Sequence, residues 1–169
     1  MTDRRQWLVM KGTALGLIVV IVALDQMSKD WLINLLAQND FRPIEVTSFF
    51  NLVMVWNTGV SFGMFGGDGN GTHWSLILLP GLVALGLGIW MMRSRLWIEV
   101  LALAFVVAGA LGNVIDRVNR GAVADFFDFH AAGWHFWAFN VADCAISIGV
   151  AILLYDAVFG KTADDAPAT

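Results

Sequence analysis

The chain has 169 residues, 58% of them hydrophobic and only 14% charged, with a mean hydropathy of +0.69. A soluble domain carries roughly a quarter charged residues, so this chain lacks the polar groups to cover a water-exposed surface, and lipid is the expected solvent for most of it. The net charge of −4 offers no basic patch for nucleic acid, and a lone cysteine, Cys144, excludes an intrachain disulfide framework.

The first apolar stretch runs from about Trp7 to Leu24, interrupted only by Lys11. Arg4, Arg5 and Lys11 ahead of it resemble a signal peptide, but the run ends in Asp25-Gln26-Met27-Ser28-Lys29 and not in a small-x-small cleavage site. Trp31, Leu32, Leu35 and Leu36 keep a helical apolar spacing, so the helix is expected to continue to about residue 36. In the loop from Ala37 to His73, Ile44-Glu45-Val46 and Phe49 to Trp56 flank Thr47-Ser48 and predict a small β-hairpin. After Asn57-Thr58-Gly59, the segment Val60 to Phe65 is too short to span and predicts a short helix at the membrane interface, followed by a flexible turn at 66–72.

Trp74 to Met92 is a 19-residue apolar span with no charge, and Trp97 to Ile115 is another of 19 residues with Glu99 near its start. Ala104, Ala108 and Gly112 recur every four residues, a spacing that lets another helix approach closely. An outer loop over 116–136 leads to the fourth span, Trp137 to Phe159, which carries Asn140, Asp143 and Asp156; Asp156 reads as an interfacial charge. Each span can cross a hydrocarbon core of roughly 30 Å at about 1.5 Å per residue. Trp7, Trp74, Trp90, Trp97 and Trp137 stand at or near span ends, as aromatic belts do. Residues 1–160 thus form one four-helix membrane domain, and 161–169 reads as a disordered tail. Arg4, Arg5, Lys11, Arg93, Arg95 and Lys161 are six of the ten basic residues and fall on one side, which predicts cytoplasmic termini and outward-facing loops at 37–73 and 116–136.

Polar groups at membrane depth are costly, and here they gather at the outward helix ends. They are Asp25 and Lys29 on the first span, Asn113, Asp116 and Arg117 on the third, and Asn140 and Asp143 on the fourth, with Asn57 and Asp125 in the outer loops. Asn140, Asp143 and Ser147 share one helix face by spacing, and the tripeptide Val-Ala-Asp occurs at 123–125 and again at 141–143. Asp125 and Asp143, brought together in apolar surroundings, can form a dyad that shares one proton. The ionised member draws a proton from water while the protonated one gives a proton to a carbonyl oxygen or leaving amine. Blander readings stand beside this one. Asp25 and Lys29 have the spacing of a helical ion pair, Asp116 and Arg117 can end a helix among lipid headgroups, and Asn57 can be a turn residue. Asp125, Asp128, His130, His135 and Asp143 are possible metal ligands but lack a recognised spacing. Cys144 with His135 is a conceivable nucleophile and base, yet Cys144 points about 100° away from Asp143 and reads as a small buried hydrophobe.

Five blocks in order resemble the lipoprotein signal peptidase (signal peptidase II) family of bacterial membrane aspartic proteases, over almost the whole chain. They are Asp25-Gln26-Met27-Ser28-Lys29, Asn57-Thr58-Gly59-Val60-Ser61-Phe62, Gly109 through Arg117, Val123-Ala124-Asp125-Phe126, and Phe139-Asn140-Val141-Ala142-Asp143. Gly63 and Cys144 depart from it, each standing where many members carry Ser. The resemblance implies an all-α membrane fold of four transmembrane helices with a small extracytoplasmic β-cradle and an interfacial helix. It implies that Asp125 and Asp143 are catalytic and that Asp25, Lys29, Asn57, Gly59, Asn113, Arg117 and Asn140 support the site or bind substrate; Asp116, in the third block, is grouped with them. The implied activity is removal of signal peptides from diacylglyceryl-modified prolipoproteins in the bacterial inner membrane, by cleavage before the lipidated cysteine. No metal or cofactor is implied, the cyclic peptide globomycin is the implied inhibitor, membrane lipids are the surroundings, and a single chain is expected to suffice. A proton-coupled transporter and a non-catalytic assembly factor are the competing readings. Against the transporter, the middles of the second and third spans hold no charged residue.

Overall fold

A computed structural model describes residues 2–59 and 74–160. The expected interfacial helix at 60–65, the turn at 66–72 and the tail at 161–169 lie outside the described residues. Four described helices are long and apolar enough to cross a membrane: α1 (Thr2–Ala37), α2 (Trp74–Arg93), α3 (Trp97–Arg120) and α4 (Val141–Phe159). Their outer faces are apolar, with Leu78, Leu79, Leu82 and Leu85 exposed along α2, as lipid-facing helices require.

The α3 helix is the most enclosed and packs against the other three. Met10, Ala14, Ile18 and Ile21 of α1 meet Val100, Leu103, Ala104, Val107 and Ala108 of α3 in the main core. The small-residue stripe is buried, as its spacing predicts. At Gly109 a Cβ would lie 2.7 Å from Ile146 Cγ1, and at Gly112 it would lie 2.6 Å from Asp25 Oδ2. Only a missing side chain lets α3 approach α1 and α4 this closely. At the other end of the bundle, Lys11 is buried because its ammonium donates to the carbonyl oxygens of Met91 and Ser94, which closes the C-terminus of α2.

The expected hairpin is present as β1 (Ile44–Thr47) and β2 (Phe50–Asn57), but it is half of a larger sheet. β3 (Val123–Ala131) and β4 (Trp134–His135) complete a four-stranded antiparallel sheet in the order β1-β2-β3-β4. A second, smaller core joins the sheet to the projecting end of α1, where Leu32 and Leu36 pack on Phe126.

Two expected boundaries are corrected here. The third helix does not stop at Ile115 but runs to Arg120, because Asp116 is bonded inside the bundle and does not end the helix. It stops at Gly121, whose φ of 78° suits glycine and whose N–H donates to Arg117 O. The fourth helix starts at Val141 and not at Trp137, because Phe139 pairs with Phe127 of β3 first, its N–H donating to Phe127 O at 3.2 Å. The outer loop expected over 116–136 is therefore largely the last turn of α3 and the β3–β4 strand pair.

Candidate functional site

The sheet and the helix ends bring both Val-Ala-Asp tripeptides to one place. The first opens β3, which pairs with β2 so that Asn57 faces Val123 and Val55 faces Asp125. The chain then turns at Ala132-Gly133 and returns along β4. The Phe139 pairing sets Asn140 beside Asp125, and α4 begins immediately.

Asn140 is the pivot. It has extended backbone and is the N-cap of α4, not a member of the face it was expected to share with Asp143 and Ser147. Its side-chain oxygen accepts from the Asp143 N–H at 3.1 Å, and its own N–H donates to Asp143 Oδ2 at 3.1 Å, a reciprocal capping box. Its amide Nδ2 donates to Asp125 Oδ1 at 2.6 Å. One residue thus holds both carboxyls. Asn57 Nδ2 donates to the other Asp125 oxygen at 3.0 Å, and Asn113 Nδ2 donates to Asp143 Oδ1 at 2.8 Å. Asn57 also turns the chain, its Oδ1 accepting from the Gly59 N–H at 2.9 Å, where Gly59 has a φ of 73°.

Behind the carboxyls lies a buried charge cluster. Lys29 is fully buried and pairs with Asp25 at 2.8 Å, the spacing-predicted ion pair, and also with Asp116 at 2.9 Å. It donates to Asn113 Oδ1 at 3.2 Å, so the Asn113 amide is left to face Asp143 with its N–H. Asp25 Oδ1 accepts from the Ala142 N–H at 2.9 Å, tying α1 to the first turn of α4. Asp116 accepts from the Ala124 N–H at 3.2 Å, tying α3 to β3. Arg117 donates to Asn113 O at 3.3 Å; its buried Nε has no hydrogen-bond partner among the described residues, and its charge faces Asp125, Asp143 and Asp116. Every expected site residue is therefore in one connected group. Gln26 and Arg120 belong to it and were not expected: Gln26 donates to Asp25 Oδ2 at 3.0 Å and Asp116 Oδ1 at 3.1 Å, and Arg120 pairs with Asp116. The four-residue step from Asp116 to Arg120 is the readable signal for the latter.

The alternative metal ligands do not gather: His135 Nδ1 pairs with Asp128 Oδ2 at 2.9 Å, away from Asp125 and Asp143. No group of three or more His, Cys, Asp or Glu side chains is placed to hold a metal among the described residues. Cys144 is half-buried and free.

Asp125 is 2% exposed, and its carboxyl is pushed up to about 6, first by burial and further by the Asp143 charge, against the opposing pull of the Asn57 and Asn140 amides and Lys29. The proton is held below about pH 6 and released above it. Since the folded state holds it more tightly than the unfolded chain, the associated stability is fully present below about pH 4 and lost as pH rises through about 6. Infrared difference spectra are expected to gain a protonated-carboxyl band as pH falls through about 6, with that band missing in Asp125→Asn. A wild-type midpoint near the ordinary value of about 4 contradicts the burial argument.

The family model for signal peptidase (SPase) II matches residues 17–159. The chain is 41% identical over 153 residues to the lipoprotein signal peptidase of Rhodopseudomonas palustris (strain TIE-1), covering 88% of this chain and 93% of that protein. It is 42% identical over 158 residues to the lipoprotein signal peptidase of Sphingopyxis alaskensis, covering 90% and 91%. Its fold matches a bacterial membrane enzyme solved by the in meso method at 2.3 Å resolution, with a TM-score of 0.71, 27% identity and 94% of each chain covered.

Proposed function

This chain belongs to the signal peptidase II family, and on that premise we propose that it removes lipoprotein signal peptides as an aspartic endopeptidase, with Asp125 and Asp143 as its catalytic carboxyls. The observation that carries the proposal is Asn140, whose amide bonds Asp125 while its backbone N–H bonds Asp143. Two carboxyls bonded by one residue at the end of a bundle are held near one another, which supports reading them as a pair that shares a proton.

The chemistry follows from the surroundings. Burial favours a proton on Asp125. Asp143 accepts from Asn113 on one oxygen and from the Asn140 N–H on the other, so both its oxygens are held in place. The ionised carboxylate takes a proton from water as the oxygen attacks the scissile carbonyl carbon, and the protonated one donates to the carbonyl oxygen. Collapse of the tetrahedral species breaks the C–N bond, and the amine leaves with a proton from the pair. Arg117 and Asn57 border the carboxyls and are assigned to substrate positioning, with Gly59 shaping the turn beside them.

The substrate class is a prolipoprotein whose cysteine already bears diacylglyceryl, cut just before that cysteine. A site at the outer membrane interface admits the apolar signal helix sideways and leaves the acyl chains in lipid, whereas a mid-bilayer site would strand the headgroup in hydrocarbon. Both termini are assigned to the cytoplasm on the basic-residue bias. One chain carries every group the mechanism uses, so a monomer is sufficient.

Incubation with a diacylglyceryl-modified precursor is expected to yield a mass loss equal to the signal peptide, blocked by globomycin and unaffected by chelator. Loss of cleavage on chelation, with recovery on adding metal, would replace the aspartic reading with a metallohydrolase.

A further inference from the structure

At the end of the bundle opposite the carboxylates lies a second concave feature. A cleft of about 300 Å³ is lined by Arg4, Gln6, Trp7 and Met10 of α1 and by Arg95 and Trp97 where the α2–α3 connection enters α3. Two other charged groups nearby are already engaged. Lys11 is turned inward onto the carbonyl oxygens of Met91 and Ser94, and Glu99 is bonded by the Ser94 hydroxyl. Arg4 and Arg95 form no ion pair among the described residues. Two guanidinium groups therefore border one cleft without an ion-pair partner among the described residues.

Guanidinium forks match phosphate oxygens, and indoles settle at the headgroup level of a bilayer. Leu8 and Ile98, next to the two indoles, are exposed apolar side chains on the membrane face. We propose that this cleft binds the phosphate of an anionic phospholipid headgroup, with the acyl chains lying along that face. The indoles and the apolar rim favour a lipid phosphate over a free one. Basic pockets between transmembrane helices are a recurrent way of holding anionic headgroups. The site is separate from the proposed catalytic carboxyls and does not depend on their role.

The test is native mass spectrometry of the full chain released from micelles containing equal phosphatidylglycerol and phosphatidylcholine. The wild-type protein is expected to retain phosphatidylglycerol over phosphatidylcholine by about tenfold. The Arg4→Gln/Arg95→Gln double variant is expected to lose that preference and Arg4→Lys/Arg95→Lys, which keeps the charge but not the forks, to keep only part of it, while Arg5→Gln, which changes an exposed arginine outside the cleft, keeps it. Precursor cleavage in neutral detergent is expected to be unchanged in the double Gln variant, which shows that it is folded. An undiminished preference in that variant overturns the proposal. So does displacement of the lipid by millimolar inorganic phosphate, which would assign the cleft to free phosphate.

Discussion

Asp125→Asn and Asp143→Asn are each expected to slow precursor cleavage by about 10³-fold or more, since general acid–base groups contribute about 10²- to 10⁴-fold and these two act as one unit. The double variant is expected to be hardly slower than the slower single one, because losing either carboxyl already removes the shared proton. Both proteins are expected to stay folded. In Asp143→Asn the new amide can still accept one of the two hydrogen bonds that Asp143 takes from Asn113 and the Asn140 N–H, and it faces the other donor with its own N–H. That mismatch costs about 1–3 kcal/mol, a modest drop in thermal midpoint. Substrate binding separates the roles: a variant that still binds the precursor but does not cleave it has lost chemistry and not shape. Cleavage within tenfold of wild type in either variant, at an unchanged thermal midpoint, would remove that residue from the mechanism.

Long apolar runs with tryptophans at or near their ends, whose charges gather toward the helix ends, were legible because lipid admits few other solutions. The β1–β2 hairpin was legible from its β-branched and aromatic residues. β3 was not, since Asp125 and Asp128 interrupt its apolar run and read as loop. Its turn places Ala132 at a φ of 51° and Gly133 at 81°, a geometry usually announced by Asn-Gly. The end of α3 was missed for a related reason. Asp116 and Arg117 look like terminating charges, but Asp116 is held by Lys29, Gln26, Arg120 and the Ala124 N–H, and those partners come from distant parts of the chain. Asp25 and Lys29 announced their pairing by local spacing, whereas the reach of Asp25 to the Ala142 N–H crosses 117 positions and leaves no local trace. The Asn140–Asp143 capping box did leave one: Asn-x-x-Asp ahead of an apolar run is the signature of a helix start.

Lys29→Met is expected to destabilise the protein by about 3–5 kcal/mol, because removing one partner of a buried ion pair leaves the others uncompensated. Lys29, Asp25 and Asp116 are all fully buried, so no water screens what remains. In the variant two carboxylates face the space of one lost ammonium, and only Asp116 keeps a cationic partner, Arg120. Lys29→Met/Asp25→Asn should therefore recover much of the loss. The amide oxygen introduced at position 25 can still accept from the Ala142 N–H, and the surviving carboxylate is matched by one guanidinium. A double-mutant cycle measured by thermal unfolding in detergent reads this as a coupling well beyond additivity. Activity should not follow stability. Without the Lys29 ammonium on Asn113 Oδ1, nothing but the weaker 3.3 Å bond from Asn140 Nδ2 keeps the Asn113 N–H aimed at Asp143, so the double variant is expected to fold well and cleave poorly. If Lys29→Met alone costs less than about 1 kcal/mol, the ammonium is not what holds the cluster together. If the double variant regains full cleavage, Lys29 balances charge and has no part in orienting the site.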